Sequence, residues 1–118
     1  MIGIIGAMDE EVEQIVAVMD IEREETKAQM TFKAGKLAGK DVVIVRSGIG
    51  KVNAAVCTQI LVDDFGVDYV INTGIAGSLK NEINIADIVI SDDVLHHDMD
   101  AMNGRYPCLS GIQPYIVY

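Results

Sequence analysis

The chain opens on MIGII at residues 1–5, closed by Gly6. A short apolar run of this kind predicts a buried first strand. Val12, Ile15, Val16 and Met19 then fall at helical spacing behind Asp9 and Glu10. That period predicts an amphipathic helix, with acids in its first turn where they suit the helix dipole. Residues 20–27 are charged and read as a solvated connection between elements. Met30, Phe32 and Ala34, and then DVVIVR at 41–46, predict two strands joined at Ala38-Gly39-Lys40-Asp41. Residues 51–65 predict a second helix whose broad apolar face is Val52, Ala55, Val56, Ile60 and Leu61, with Gly66 as its stop. VDYVIN at 67–72 and IADIVIS at 85–91 predict two further strands. Apolar strands alternating with helices define an α/β domain with a mixed, largely parallel sheet.

A length of 118 residues allows one domain at most, and a hydrophobic half is enough for a sizeable core. Eighteen acidic against nine basic residues leave a net charge of −9. Such a surface repels phosphate backbones and anionic lipid, so neither nucleic acid nor membrane is an expected partner. No apolar run has the length needed to span a bilayer, and the first residues lack the basic region of a signal peptide. Cys57 and Cys108 stand alone without metal-type spacing, which reads as two reduced thiols in a cytoplasmic protein.

Three glycine-bearing turns follow predicted strands: Gly6-Ala7-Met8, Ser47-Gly48-Ile49-Gly50, and the turn from Thr73 to Ser78. Ligands of open α/β sheets bind at the carboxyl ends of strands, where glycine admits a ligand to the backbone and helix starts offer free N–H groups. Singly, each turn reads equally well as a plain exit from a strand; three on one edge point to a site. None is a dinucleotide or P-loop fingerprint. Within Asp9-Glu10-Glu11, spacing alone favours solvated helix-start charge. The functional alternative keeps Asp9 and Glu10 in solvent while Glu11 turns inward as a general base toward water. His96 and His97 sit amid carboxylates, but neighbours on a strand face opposite ways, so no metal site is expected.

Taken in order, MIGIIGAMDEEV, RSGIGKVNAA, INTGIAGSL and ADIVISDDVLHHDMDA resemble the 5'-methylthioadenosine/S-adenosylhomocysteine nucleosidases, almost without gaps from residue 1 to 101. The resemblance implies a three-layer, nucleoside phosphorylase-like fold with a twisted sheet flanked by helices. It implies hydrolysis of the bond between adenine and a 5'-thio-substituted ribose, without cofactor, in a cytoplasmic homodimer serving methionine salvage. By the same resemblance Glu11 activates the attacking water. Met8 and Ile49 wall the sugar and its 5'-thio group, and Gly77 offers a backbone contact to substrate. Ile75 stands where many members carry a serine that helps place the water, and residues 97–101 match a segment that closes the neighbouring subunit's pocket.

This chemistry suits the residues, since nucleoside hydrolysis passes through a cationic sugar that needs a carboxylate for water and a separate acid for the leaving purine. The runner-up, a phosphorylase, needs a phosphate clamp, and Arg46 is the only arginine beside the turns. The family is about twice this length, which implies a truncated chain lacking the purine-protonating acid and the ribose-binding glutamate, and therefore inactive alone. A non-catalytic nucleoside-binding or dimerisation fragment is the remaining alternative. Residues 1–101 read as the amino-terminal part of the nucleosidase domain. Residues 102–118 read as a divergent tail of frameshift or truncation origin.

Overall fold

The structure, a computed structural model, describes residues 1–91. Its elements run β1 (Ile2–Gly6), α1 (Asp9–Val16), β2 (Asp20–Lys27), β3 (Met30–Leu37), β4 (Lys40–Arg46), α2 (Lys51–Phe65) and β5 (Tyr69–Asn72). The five strands form one mixed sheet in the order β2-β3-β4-β1-β5. β1 pairs in parallel with β4 and with β5, whereas β2, β3 and β4 form an antiparallel meander.

Period-two alternation in the central strands builds two cores, one on each face. Ile5, Val43 and Val45 point to one side, where Cys57, Leu61 and Phe65 of α2 pack on them together with Phe32. Ile4, Val42 and Ile44 point to the other, against Val12 of α1 and Met19. The result is three layers, helix on sheet on helix, as expected. Phe65 also stacks on Phe32, with centroids 5.2 Å apart, and carries Arg23 and Lys27 of β2 over its ring at 5.3 and 5.6 Å. Lys27 reaches Asp64 at 2.7 Å, so the outer hairpin is laced to the end of α2.

The two helices end differently, α1 on Ala17 in helical conformation and α2 on a left-handed glycine. α1 is shorter than its apolar pattern, closing at Val16, while Met19 still packs in the core from the connecting turn. α2 matches its expected span, and Gly66 takes the left-handed conformation at φ 61° that caps it. Its buried face keeps Leu61 of the expected one, with Ile60 packed against the core, but is rotated elsewhere. Val52 is 78% exposed and Val56 is also exposed, while Cys57, Leu61 and Phe65 are inside. Those three recur every four residues, and the small Cys57 lets the helix lie close to the sheet.

Two expectations for strands fail. Residues 20–27 are not a solvated connection but β2, paired along its length with β3. Nearly all its side chains are exposed, so no hydrophobic alternation marks it, and its turn to β3 lacks the usual glycine signal. Ala28 and Gln29 supply that turn themselves, at φ 49° and 63°. Conversely, IADIVIS at 85–91 forms no strand, and Ile85, Ile88 and Ile90 are almost fully exposed. A local turn takes its start: the Asp87 carboxylate accepts the Asn84 N–H at 2.7 Å, the Asp87 N–H returns to the Asn84 carbonyl, and Ala86 is left-handed at φ 74°. This segment belongs to a second compact unit beginning at Ala76. The histidine pair, Cys108, the segment 97–101 and the tail 102–118 lie outside the described residues.

Candidate active site

Because β1, β4 and β5 are parallel, their carboxyl ends share one edge, with Gly6 opposite Arg46 and Ile5 opposite Asn72. The exits are tied together by backbone. The Ser47 N–H donates to the Gly6 carbonyl at 2.9 Å, and the Thr73 N–H to the Ile5 carbonyl at 2.8 Å. Ser47 is the one buried polar side chain among the described residues, and its hydroxyl donates to the Gly48 carbonyl at 2.9 Å. The turn it opens was expected from the sequence but no role was assigned to its hydroxyl, although a hydroxyl placed directly after a strand and before glycine is a common turn former.

Glu11 is the third residue of α1, and a long side chain there folds back over the helix start. Its Oε2 accepts the N–H groups of Ala7 at 2.7 Å and Met8 at 3.1 Å. Its Oε1 accepts the N–H of Ile75 at 3.3 Å. One carboxylate thus joins the exit of β1 to the turn after β5. Three donated N–H groups use three of the carboxylate's roughly four lone-pair positions, leaving room for a water or hydroxyl. The bond to the helix-start amide is also half of a capping arrangement, so this glutamate holds α1 as well as facing the edge.

Its neighbours divide as their positions on the helix require. Asp9 and Glu10 are exposed, and Asp9 pairs with Arg46 at 3.1 Å. Met8 and Ile49 line one open cleft of about 300 Å³ together with Gly48 and Arg46. Ile49 is exposed there, and its carbonyl is held by the Asn53 side chain at 2.8 Å. Gly50, at φ 105°, turns the chain into α2 immediately afterwards. Ile75 is 84% exposed, so its contribution at this edge is its backbone N–H and not its side chain. Gly77 is exposed in the second unit, and a side chain there would meet nothing within 4 Å. A larger hollow of about 400 Å³ beside α1 is lined by charges largely spent on one another, Lys33 with Glu24 at 2.8 Å and Arg46 with Asp9.

The α/β fold that sets up this edge is shared with a known family. Residues 1–113 match the phosphorylase superfamily, and the chain belongs to it. Among its similarities within that superfamily are 5'-methylthioadenosine/S-adenosylhomocysteine nucleosidases. The enzyme of that name from Marinomonas sp. (strain MWYL1) is 53% identical over 105 residues, covering 89% of this chain and 46% of the relative. The solved structure from Colwellia psychrerythraea 34H, in complex with adenine, is 49% identical with a TM-score of 0.82, over 85% of this chain and 41% of that one. The Streptococcus pneumoniae enzyme in complex with 8-aminoadenine is 39% identical with a TM-score of 0.84, over 98% of this chain and 52% of that one. The chain therefore spans about half the length, or less, of the relatives it matches.

Proposed function

We propose that this chain supplies the water-activating half of a nucleosidase site that hydrolyses the N-ribosidic bond of 5'-methylthioadenosine and S-adenosylhomocysteine, releasing adenine. The observation that carries the reading is the seating of Glu11. Its carboxylate is fixed by three backbone N–H groups at the edge where this sheet presents its glycine-bearing turns. Held there, it accepts the proton of an attacking water as the sugar acquires positive charge, and the same negative charge favours that cationic state.

Met8 and Ile49 provide the apolar wall for the sugar and its 5'-thio group, and Gly77 a backbone contact. At position 75 the N–H does the positioning, so an isoleucine side chain is compatible with the role. The acid for the leaving purine and the partner for the ribose hydroxyls have no candidate among the described residues. Turnover therefore needs groups beyond them. The proposal extends to a cytoplasmic homodimer acting in methionine salvage. A phosphorylase is disfavoured because Arg46, beside the turns, is engaged by Asp9, and an incoming phosphate would meet three carboxylates.

The test grafts residues 1–101 in place of the matching segment of the Colwellia psychrerythraea relative and follows adenine release from 5'-methylthioadenosine. The graft is expected to cleave without phosphate. Glu11→Gln in the graft is expected to lower the rate by about 10²–10⁴-fold, the usual worth of a general base. A folded graft that cleaves equally well with glutamine at 11 would overturn the assignment. A rate requiring phosphate would favour the phosphorylase.

A further inference from the structure

The geometry points to Gly74 as a positioning residue: the absence of a side chain there is what lets the Glu11 carboxylate seat against the Ile75 N–H. A Cβ at position 74 would stand 2.5 Å from Glu11 Oε1, 2.9 Å from its Cδ and 3.3 Å from Oε2, and those are its three nearest atoms. Gly74 is not among the positive-φ residues, so its backbone is open to any L-residue. The glycine thus answers to the carboxylate, not to the turn.

Gly6 makes the useful contrast. A Cβ there would meet Val12 Cγ1 at 2.6 Å and the Glu11 Cβ at 3.1 Å, atoms by which α1 packs on the sheet. Val12 is buried in the core and cannot yield without moving the helix. The carboxylate is the far end of a flexible side chain and can swing away from a methyl group. An alanine at 6 therefore disturbs the fold, whereas an alanine at 74 leaves the fold and displaces the reactive oxygen. Moving Oε1 and Cδ clear of the methyl group breaks the 3.3 Å bond to Ile75 and disturbs the two bonds of the more distant Oε2 less. An ångström of misplacement at a reacting group is enough to cost about 10²-fold in rate.

This inference rests on Glu11 being the base, but its decisive readout does not require turnover. In the full chain, the amide resonances of Ala7, Met8 and Ile75 are compared by NMR at one neutral pH. In the wild type all three are expected to lie downfield of their positions in Glu11→Ala, as amides donating to a carboxylate do. In Gly74→Ala the Ile75 amide is expected to lose that downfield shift while Ala7 and Met8 keep most of theirs, with the rest of the spectrum unchanged. In Gly74→Ala with Glu11→Asp, whose carboxylate is one methylene shorter, the clash is relieved. Its melting temperature is then expected to match that of Glu11→Asp alone.

An Ile75 amide as far downfield in Gly74→Ala as in the wild type would overturn the proposal. So would a Gly74→Ala chain that fails to fold whether position 11 is glutamate or aspartate, since the glycine would then serve the turn itself. In the graft described above, Gly74→Ala is expected to lower kcat about 100-fold with KM little changed. An inactive wild-type graft would refute the proposed activity and leave the NMR result standing.

Discussion

Replacing Glu11 by glutamine separates what the carboxylate does for the fold from what it does for chemistry. Glutamine keeps one carbonyl oxygen, enough to accept the N–H groups of Ala7 and Met8 in place of Oε2. Its NH2 group then faces the N–H of Ile75, donor against donor, and that bond is lost. A hydrogen bond to a charged group contributes about 1.5–3 kcal/mol and a neutral one about 0.5–1.5. Two bonds weakened by about 1 kcal/mol each and one lost bond sum to about 4 kcal/mol, and losing a negative charge at a helix start adds about 0.3–1. The neutral amide recovers part of this by avoiding desolvation of the charge, leaving a net cost of about 2–3 kcal/mol.

Glu10→Gln is the control, because Glu10 is exposed in the same helical turn and contributes chiefly through the dipole, about 0.3–1 kcal/mol. Urea unfolding followed by circular dichroism reads the difference. With a slope of about 1.5 kcal/mol per molar, typical of small proteins, the Glu11→Gln midpoint should fall about 1 M below that of Glu10→Gln. Coincident midpoints would refute the reasoning, since the carboxylate would then not be held by the three amides.

Leu61→Ala should cost about 2–5 kcal/mol, as Leu61 is 0% exposed between α2 and the sheet, while Val52→Ala on the open face should stay within about 0.5. Equal melting shifts for the two would mean that the buried face of α2 is misassigned. Changing Ala28-Gln29 to Asn-Gly should raise stability by about 1 kcal/mol by relieving two left-handed non-glycine residues, and a lower melting temperature would count against that turn. Burial pushes the Cys57 thiol up to about 11, so alkylating reagents should label it at pH 8 only through unfolding. A thiol raised in the folded state adds stability that is whole below about pH 9, where the unfolded thiol ionises, and is lost as pH rises through about 11. The loss should be absent from Cys57→Ala when urea midpoints at pH 8 and pH 11 are compared.

The sequence was most legible where burial and periodicity agree. DVVIVR, buried on both faces, reads as a central strand, and the span of α2 was clear from its length and from Gly66. β2 was not legible because an exposed strand gains its stability from pairing with β3, which no side-chain pattern announces, and because Ala28-Gln29 disguises its turn. IADIVIS misled for the opposite reason. Its apolar residues carry the signal of a strand, but Asp87 closes a turn on Asn84 at its start. Spacing favoured a solvated Glu11 and only the resemblance singled it out, whereas the three glycine turns at the edge could be read from order alone. The hold of Ile75 on that carboxylate could not, because the two residues lie 64 positions apart and the contact is made by a main-chain N–H. The apolar face of α2 was misjudged by about one residue's rotation, which is enough to exchange Val56 for Cys57.

The double duty of Glu11, bound at once to the start of α1 and to the turn after β5, ties inheritance to architecture. A copy of this gene released from any demand for turnover would still be selected for glutamate at this position, because losing it weakens the helix start. Persistence of the residue in a silent descendant would therefore be no proof of activity. In the other direction, a sheet that recruited glutamate only to secure its first helix would already have held a carboxylate at the edge where its glycine turns gather.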